Sequence, residues 1–364
     1  MTRPPRSRDL FKTVLRLFKR EEKQLELDLN TPKLPKPPDT NESEEDSPSL
    51  PDIVRSELNL EQNAVFTVST YREKSRTVIR TLKTQDGTME RRVEIGKTTG
   101  GQEVGVLTTT HFKVYLALLE FWEKAGKPVN KPVHFTILRI LKRLKLSNSG
   151  GNYETILKAI AGLRDVPVRF TDSFMSKDGT FKSTGHLSVL SYLHTYEKKA
   201  RTKSGEQTYG YGEFQFDNHI LMSLIENFTH PLRLDVITEF TMHRDLAILL
   251  YTYLDRQLAF KRKFEIGLGR LYDQLDLSQS YIKYPSQRKS KIDPVLEQIQ
   301  DKELSTGKLS YCKIERTADG KDYKLVCKKT GVTKIPEPEP PKLDWGKLNL
   351  DEILEKMDMD NDKR

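Results

Sequence analysis

The sequence predicts an α+β fold in which one unit, a long helix, short strand, short helix, third helix and β-hairpin, occurs twice in tandem. Three observations carry this reading. Phe112, Tyr115, Leu116, Leu119 and Trp122 recur at three- and four-residue spacing, and so do Leu246, Leu249, Leu250 and Tyr253, the period of a helix with one buried side. Each of these helices is followed by the same succession of elements. The two series align locally: Leu144-Lys145-Leu146-Ser147 matches Leu275-Asp276-Leu277-Ser278 at an offset of 131, and Leu118, Leu119 and Trp122 then fall on Leu249, Leu250 and Tyr253. That order is the order of a winged helix. The expected architecture is two tandem winged-helix domains with extended β-hairpin wings, flanked by disordered tails.

Residues 1–30 read as a basic amphipathic segment with Leu10, Val14, Leu17 and Phe18 on one side. Residues 31–60 read as a disordered acidic linker. Pro32, Pro35, Pro37, Pro38, Pro48 and Pro51 break it, and between Asp39 and Asp52 it holds acids and no base, too little apolar area to order itself. The first winged-helix domain is expected over 61–235. It opens with β-branched runs at 65–70, 77–82 and 89–95, the last two joined at Asp86-Gly87, a hairpin turn signal. The first helix ends at Gly126, a strand follows Pro132, and Ile137, Ile140, Leu141 and Leu144 mark the second helix. After the turn Ser147-Asn148-Ser149-Gly150-Gly151, Asn152 is expected to cap a third helix that buries Ile156, Leu157, Ile160 and Leu163 and stops before Pro167, since proline pushes its predecessor out of helical geometry. Strands are expected at 166–174, 186–197 and 207–216.

The second domain is expected over 236–330: the Leu249 helix, a strand at 264–266, a short helix through Leu268, Leu271 and Leu275, a turn at 280–287, and a third helix through Val295, Leu296 and Ile299. A hairpin of 308–316 and 323–328 turns at Asp319-Gly320, a dipeptide that two-residue turns favour. Such a turn sets Cys312 opposite Cys327 at a hydrogen-bonded pair, where side chains stand farther apart, so two reduced core thiols are expected. Residues 331–364 read as a disordered acidic tail, with Leu348, Leu350, Ile353, Leu354 and Met357 able to form one helical face.

The net charge of +9 hides an asymmetry: residues 53–335 hold 46 bases and 32 acids, net +14. A polyanion is the first partner to expect of such a surface. Two cysteines exclude a disulfide-stapled secreted scaffold. The longest uncharged stretch of the Leu249 helix is the nine residues between Asp245 and Asp255, short of the roughly 20 that a bilayer span needs, and the N-terminus lacks the apolar block of a signal peptide. The expectation is a soluble cytoplasmic protein.

A winged helix presents its third helix to the major groove and its hairpin to the backbone. In the second copy the third helix is led in by Ser286, Gln287, Arg288, Lys289, Ser290 and Lys291, cations for phosphate together with Arg and Gln, whose shapes match guanine and adenine edges. Pro294 implies that the helix either starts there with Asp293 as its cap or is kinked there, which sets the basic cluster at or before its N-terminus. In the first copy the candidates are Asn148, Asn152, Tyr153, Thr155 and Lys158, with Lys142 and Arg143 beside them. The long hairpin adds Lys198, Lys199, Arg201 and Lys203 near its tip, flanked by Tyr192, Tyr196, Tyr209 and Tyr211, a mixture of charge and stacking surface suited to nucleic acid.

Enzyme signals are weak, and no catalytic residue, cofactor or metal site is expected. Gly96-Lys97-Thr98 ends like a phosphate loop, but the glycine needed five positions earlier is Arg91. The histidines at 111, 134, 186, 194, 219, 230 and 243 include no metal-spaced pair, so a rolling-circle nicking enzyme, which needs a metal beside its tyrosine, lacks ligands.

Leu107-Thr108-Thr109 leading into the Leu116 helix, Gly150-Gly151-Asn152-Tyr153-Glu154 opening the next third helix, and Lys291-Ile292-Asp293-Pro294-Val295-Leu296-Glu297-Gln298-Ile299 resemble the plasmid replication initiator (Rep) proteins of bacteria, which are tandem winged-helix proteins. The resemblance covers about residues 90–330, and the extended hairpins after Val166 depart from the compact members. It implies binding to directly repeated double-stranded origin sites, local opening of AT-rich DNA, recruitment of host helicase-loading proteins without catalysis, and a monomer–dimer equilibrium with copy control. In the N-terminal segment, Gln24-Leu25-Glu26-Leu27-Asp28-Leu29 looks like a peptide that docks on the bacterial sliding clamp, with Gln24 for a polar notch and Leu25, Leu27 and Leu29 for an apolar pocket. The alternative function on the same fold is a transcriptional repressor.

Overall fold

The computed structural model describes residues 52–331, except 69–72, 85–86, 176–180, 183–185, 203–204, 241–243 and 278–283. The terminal segments, and with them the clamp-peptide residues Gln24, Leu25, Leu27 and Leu29, lie outside the described residues.

The chain is a mixed fold of helices and antiparallel sheets. It starts earlier than the composition suggests: Ile53–Glu57 is strand β1 and Leu58–Gln62 helix α1, within the stretch expected to be linker. β1 pairs antiparallel with β11, Thr229–Arg233, with Val54 opposite Leu232. Glu57 caps α1 from inside the core. Its carboxylate accepts from Leu60 N at 2.8 Å, Asn59 Nδ2 at 2.7 Å and Ser223 Oγ at 2.7 Å, and burial pushes its pKa up. The proline run masks this short strand, because five residues carry too little periodicity to stand out beside it. The expected strand over 65–70 is also absent from its described part. Val65, Phe66 and Val68 are buried there with one isolated bridge, Thr67 to Thr108, so β-branched composition signals burial here, not a ladder.

Strands β2, Arg76–Thr84, and β3, Gly87–Ile95, form the expected hairpin. Helix α2, Thr109–Lys124, opens with a capping box between Thr108 and His111 and is buried on nearly all sides. Then come β4, Val133–Thr136, α3, Ile137–Arg143, and α4, Gly150–Asp165. The cap of α4 is Ser149, whose Oγ accepts from Asn152 N at 3.3 Å, three residues earlier than expected. A run of short strands follows: β5, Val168–Thr171; β6, Phe174–Met175; β7, Phe181–Lys182; and β8, His186–Leu187. β5 joins β3 and β8 in the sheet ordered β2-β3-β5-β8. The long hairpin is β9, Leu190–Thr202, with β10, Gly205–Phe216. Helix α5, Asn218–Ile225, β11 and helix α6, Leu234–Glu239, complete this part.

The second series is α7, Asp245–Leu258; β12, Lys263–Gly267; α8, Leu268–Gln274; α9, Pro285–Ile299; then β13, Glu303–Leu304, β14, Gly307–Arg316, and β15, Tyr323–Thr330. Sheet topology repeats along with element order. The short strand pairs with the second strand of the hairpin in both series, giving β4-β10-β9 and β12-β15-β14-β13. The offset of 131 holds atom by atom at the end of the short helix. Leu144 N bonds Ile140 O, Lys145 N bonds Lys142 O and Leu146 N bonds Leu141 O, as Leu275 N bonds Leu271 O, Asp276 N bonds Asp273 O and Leu277 N bonds Tyr272 O.

The thiol expectation is corrected. Cys312 does stand opposite Cys327, but the hairpin closes on Thr317 and Asp322 through Thr317 N to Asp322 O at 2.9 Å. A four-residue loop moves the closing pair by one position and flips the ladder parity. The cysteines therefore occupy a close pair with Cα atoms 4.2 Å apart, and they are joined as a disulfide.

Polar contacts tie the two series together. Arg76 pairs with Asp276 at 3.1 Å, Arg80 Nη2 donates to Gln274 O at 2.7 Å, Thr109 Oγ1 donates to Asp245 and Lys113 Nζ to Phe240 O. Burial, then the neighbouring Arg256 charge, lowers Arg80 to about 10.

Candidate nucleic-acid interface

Helix α9 begins at Pro285 with Tyr284 as its cap residue. Proline suits a first helical position, where its fixed φ fits and no donor is needed. The helix then runs on through Pro294, which corrects the expected placement of the basic cluster at or before its N-terminus. Arg288, Lys289 and Lys291 lie within its first two turns. Burial of Ile292, Val295, Leu296 and Ile299 outweighs the hydrogen bond lost at Pro294.

Ser286, Gln287, Ser290 and Lys291 are exposed, and Arg288 and Lys289 are half-buried. Lys289 is paired with Asp293 one turn on, which leaves part of its charge neutralised. The Arg288 guanidinium reaches α8, where a Cβ on Gly269 would stand 3.1 Å from Nη1. Tyr272 Oη donates to Arg288 O at 3.3 Å. The helix thus offers one exposed edge with hydroxyls, an amide and cations, anchored on its other side by four apolar residues.

The β14–β15 hairpin supplies cations that sequence reading did not single out. Arg316 and Lys321 are exposed beside its turn, and Lys313 and Lys328 lie 5.6 and 5.2 Å from the centre of the Tyr311 ring. Thr317 Oγ1 accepts from Asp322 N at 3.1 Å, which shapes the turn. Tyr284, 58% exposed at the head of α9, was also missed. A usable signal was present: cations flanking a turn dipeptide, and an aromatic residue just before a proline helix start.

The first-series candidates are largely committed to the fold. Asn152 Nδ2 donates to Ser147 O and Oγ, both at 2.9 Å, and Thr155 Oγ1 donates to Gly151 O at 2.7 Å. Tyr153 Oη approaches Glu197 of β9 at 3.4 Å, and burial followed by that carboxylate raises its pKa. Arg143 bonds Glu120 and Asp52 with its side chain 18% exposed. Lys158 pairs with Glu154 at 3.5 Å on the surface, while Lys142 and Asn148 are exposed. On the long hairpin, Lys198, Lys199 and Arg201 belong to β9 opposite Tyr209, Thr208 and Glu206, and Lys203 lies outside the described residues.

No protein-family model and no curated protein matches the chain. Two crystal structures of domains 2 and 3 of RctB are similar to it. The selenomethionine derivative has a TM-score of 0.48 at 11% identity, covering 74% of this chain and 97% of that one. The second has a TM-score of 0.45 at 13% identity, covering 75% and 97%. Among the described residues, no cluster of three His, Cys, Asp or Glu could hold a metal ion, and no helix is long and apolar enough to cross a membrane. The exposed edge of α9 offers a cation and base-edge donors and the turn of its hairpin offers further cations, the kinds of group that duplex recognition uses.

Proposed function

We propose that the chain is a tandem winged-helix protein that binds repeated double-stranded DNA sites at a plasmid origin, helps open it and recruits host replication proteins. The observation that carries the reading is the exposed edge of α9 with the Arg316 and Lys321 cations of its hairpin, set in a unit whose helix ends and sheet order repeat at an offset of 131. Duplex phosphates meet the cations, and the exposed Gln287 has the side-chain chemistry to read an adenine edge. The Rep-like motifs from Leu107 to Ile299 favour an initiator role without catalysis, in which the Gln24–Leu29 peptide docks on the sliding clamp and a monomer–dimer equilibrium sets copy number.

Binding to duplex fragments of the DNA flanking its own gene, measured across salt concentrations, tests the interface. The expected result is a specific fragment whose affinity falls steeply with salt, with a slope flattened by neutralising Lys291, Arg316 and Lys321. An unchanged slope removes these residues from the interface. Binding confined to the gene's own promoter favours the repressor, and metal-dependent relaxation of supercoiled plasmid the nicking enzyme.

A further inference from the structure

The sheet β4-β10-β9 has two unlike faces. One is pressed on the core: a Cβ at Gly210 would lie 2.1 Å from Tyr153 Oη and 2.8 Å from Ile137 Cγ1, and one at Gly212 would lie 2.9 Å from Phe135 Cζ. Glycine at these two positions lets the tyrosine of α4 and the phenylalanine of β4 lie flat against the strand. Strand alternation sends the intervening residues outward, and there the composition turns aromatic instead of charged.

Tyr192 and Tyr196 are 39% and 37% exposed, and His194 between them is exposed as well. The ladder sets Tyr196 opposite Tyr211 and His194 opposite Glu213. The Tyr196 and Tyr211 rings stack at 5.2 Å with planes 16° apart, and the His194 ring centre is 4.2 Å from that of Tyr196. Tyr196 Oη and His194 Nδ1 are hydrogen-bonded at 2.9 Å. The rings form one row along the outer face. Its carboxylate, Glu213, is answered by His134 of β4 at 3.2 Å. Beyond Glu197 the ladder sets Lys198 opposite Tyr209, in the same alternation as Tyr192, His194 and Tyr196.

Tyrosine rings are most often buried or at interfaces, so a row of them left in water on a body of net charge +14 points to a ligand with flat aromatic faces and negative charge. Duplex DNA offers such rings no free base faces, because its bases are stacked on each other and show only their edges in the grooves. Single strands expose their base faces, and sheets that bind them do so with aromatic side chains. We propose that the outward face of β4-β10-β9 binds single-stranded DNA, with bases stacking on Tyr192, His194, Tyr196 and Tyr211. This site is separate from the α9 surface and stands whether or not that surface reads duplex DNA.

The test uses the full chain and two fluorescein-labelled probes, dT20 and the corresponding dA20·dT20 duplex. Tyr196→Ala with Tyr211→Ala should weaken dT20 binding at least tenfold, since stacking contributes about 1–3 kcal/mol per base, and should leave duplex affinity within twofold. Tyr196→Phe with Tyr211→Phe should keep dT20 affinity within threefold, because the rings remain. A wild-type protein that does not bind dT20 overturns the proposal, as does an alanine variant that binds dT20 normally or loses both probes equally. Should the alanine variant fold poorly, photocrosslinking of a 5-iododeoxyuridine strand to the wild type decides. Adducts on Tyr192, Tyr196 or Tyr211 support the site, and adducts confined to other residues overturn it.

Discussion

Lys145 and Asp276 are 131 positions apart and hold the same unusual backbone, with φ of 53° and 48°. Both are non-glycine residues in the left-handed region, which costs energy that only a fixed local need sustains. That need is the end of the short helix: each follows a helix whose last amides fold back on the same three relative carbonyls. Asp276 does more than its counterpart, since its carboxylate also holds Arg76 at 3.1 Å. Replacing Lys145 by glycine should therefore stabilise the protein by up to about 1 kcal/mol, while Asp276→Gly should lower the melting temperature through the lost ion pair. Thermal denaturation of the two variants checks both signs.

On α9, Lys291 is exposed and Lys289 is paired with Asp293. Lys291→Ala should flatten the salt dependence of duplex binding by about 0.9 in the log–log slope, one phosphate contact. Lys289→Ala should change it less. Binding titrations at four or more salt concentrations measure the difference.

Arg143 acts as a structural residue. Burial alone would lower its pKa, and the hydrogen bond and charge of Glu120, helped by Asp52, outweigh that and raise it. Arg143→Ala leaves Glu120 with Lys124, 2.7 Å away, as its remaining partner, at an expected cost on the order of 1–2 kcal/mol, and leaves the salt slope of DNA binding unchanged. Denaturant unfolding and the same binding titration separate the two roles.

His111 confers a pH dependence. Burial holds its imidazole down at about 4, against an ordinary 6.5, and its ring meets Gly162, where a Cβ would be 2.3 Å from Nε2. Its Nδ1 accepts from Thr108 N at 3.0 Å, which requires the neutral ring. A depressed histidine favours the folded state above 6.5, and that stability is lost as pH falls toward 4. The buried carboxyls Glu57 and Asp255, raised by burial, act in the opposite direction, so the readout is a difference. His111→Gln should lose about 2 kcal/mol less than the wild type between pH 7 and pH 5.

Helix period, short strands and hairpins were legible because each carries a local signal: apolar spacing for α2 and α7, and turn residues for β14 and β15. The offset between Leu144-Lys145-Leu146-Ser147 and its counterpart was legible for the same reason, since the helix end it encodes needs no distant contact. Three features were not. β1 exists through its ladder with β11 and the buried cap of Glu57, both made by residues far along the chain. The continuity of α9 across Pro294 is decided by packing of Ile292 and Leu296, which overrides local preference. The pairing of Cys312 with Cys327 was legible as register, but its ladder parity depended on loop length, where one position reverses the answer. At the candidate interface, residue type marked Lys291 and Gln287 correctly as exposed, yet could not distinguish them from Arg143, Asn152 and Thr155, whose polar atoms serve the fold.

The central claim is that this chain initiates replication from DNA it binds through α9 and its hairpin. The direct measurement is plasmid maintenance: a selectable fragment lacking an origin, carrying this gene and several hundred base pairs of its flanking DNA, introduced into a related bacterium. The account predicts colonies that depend on the intact gene and are lost when Lys291, Arg316 and Lys321 are replaced together by alanine in a variant that still folds. Colonies that survive that replacement, or none with the intact gene, would contradict it.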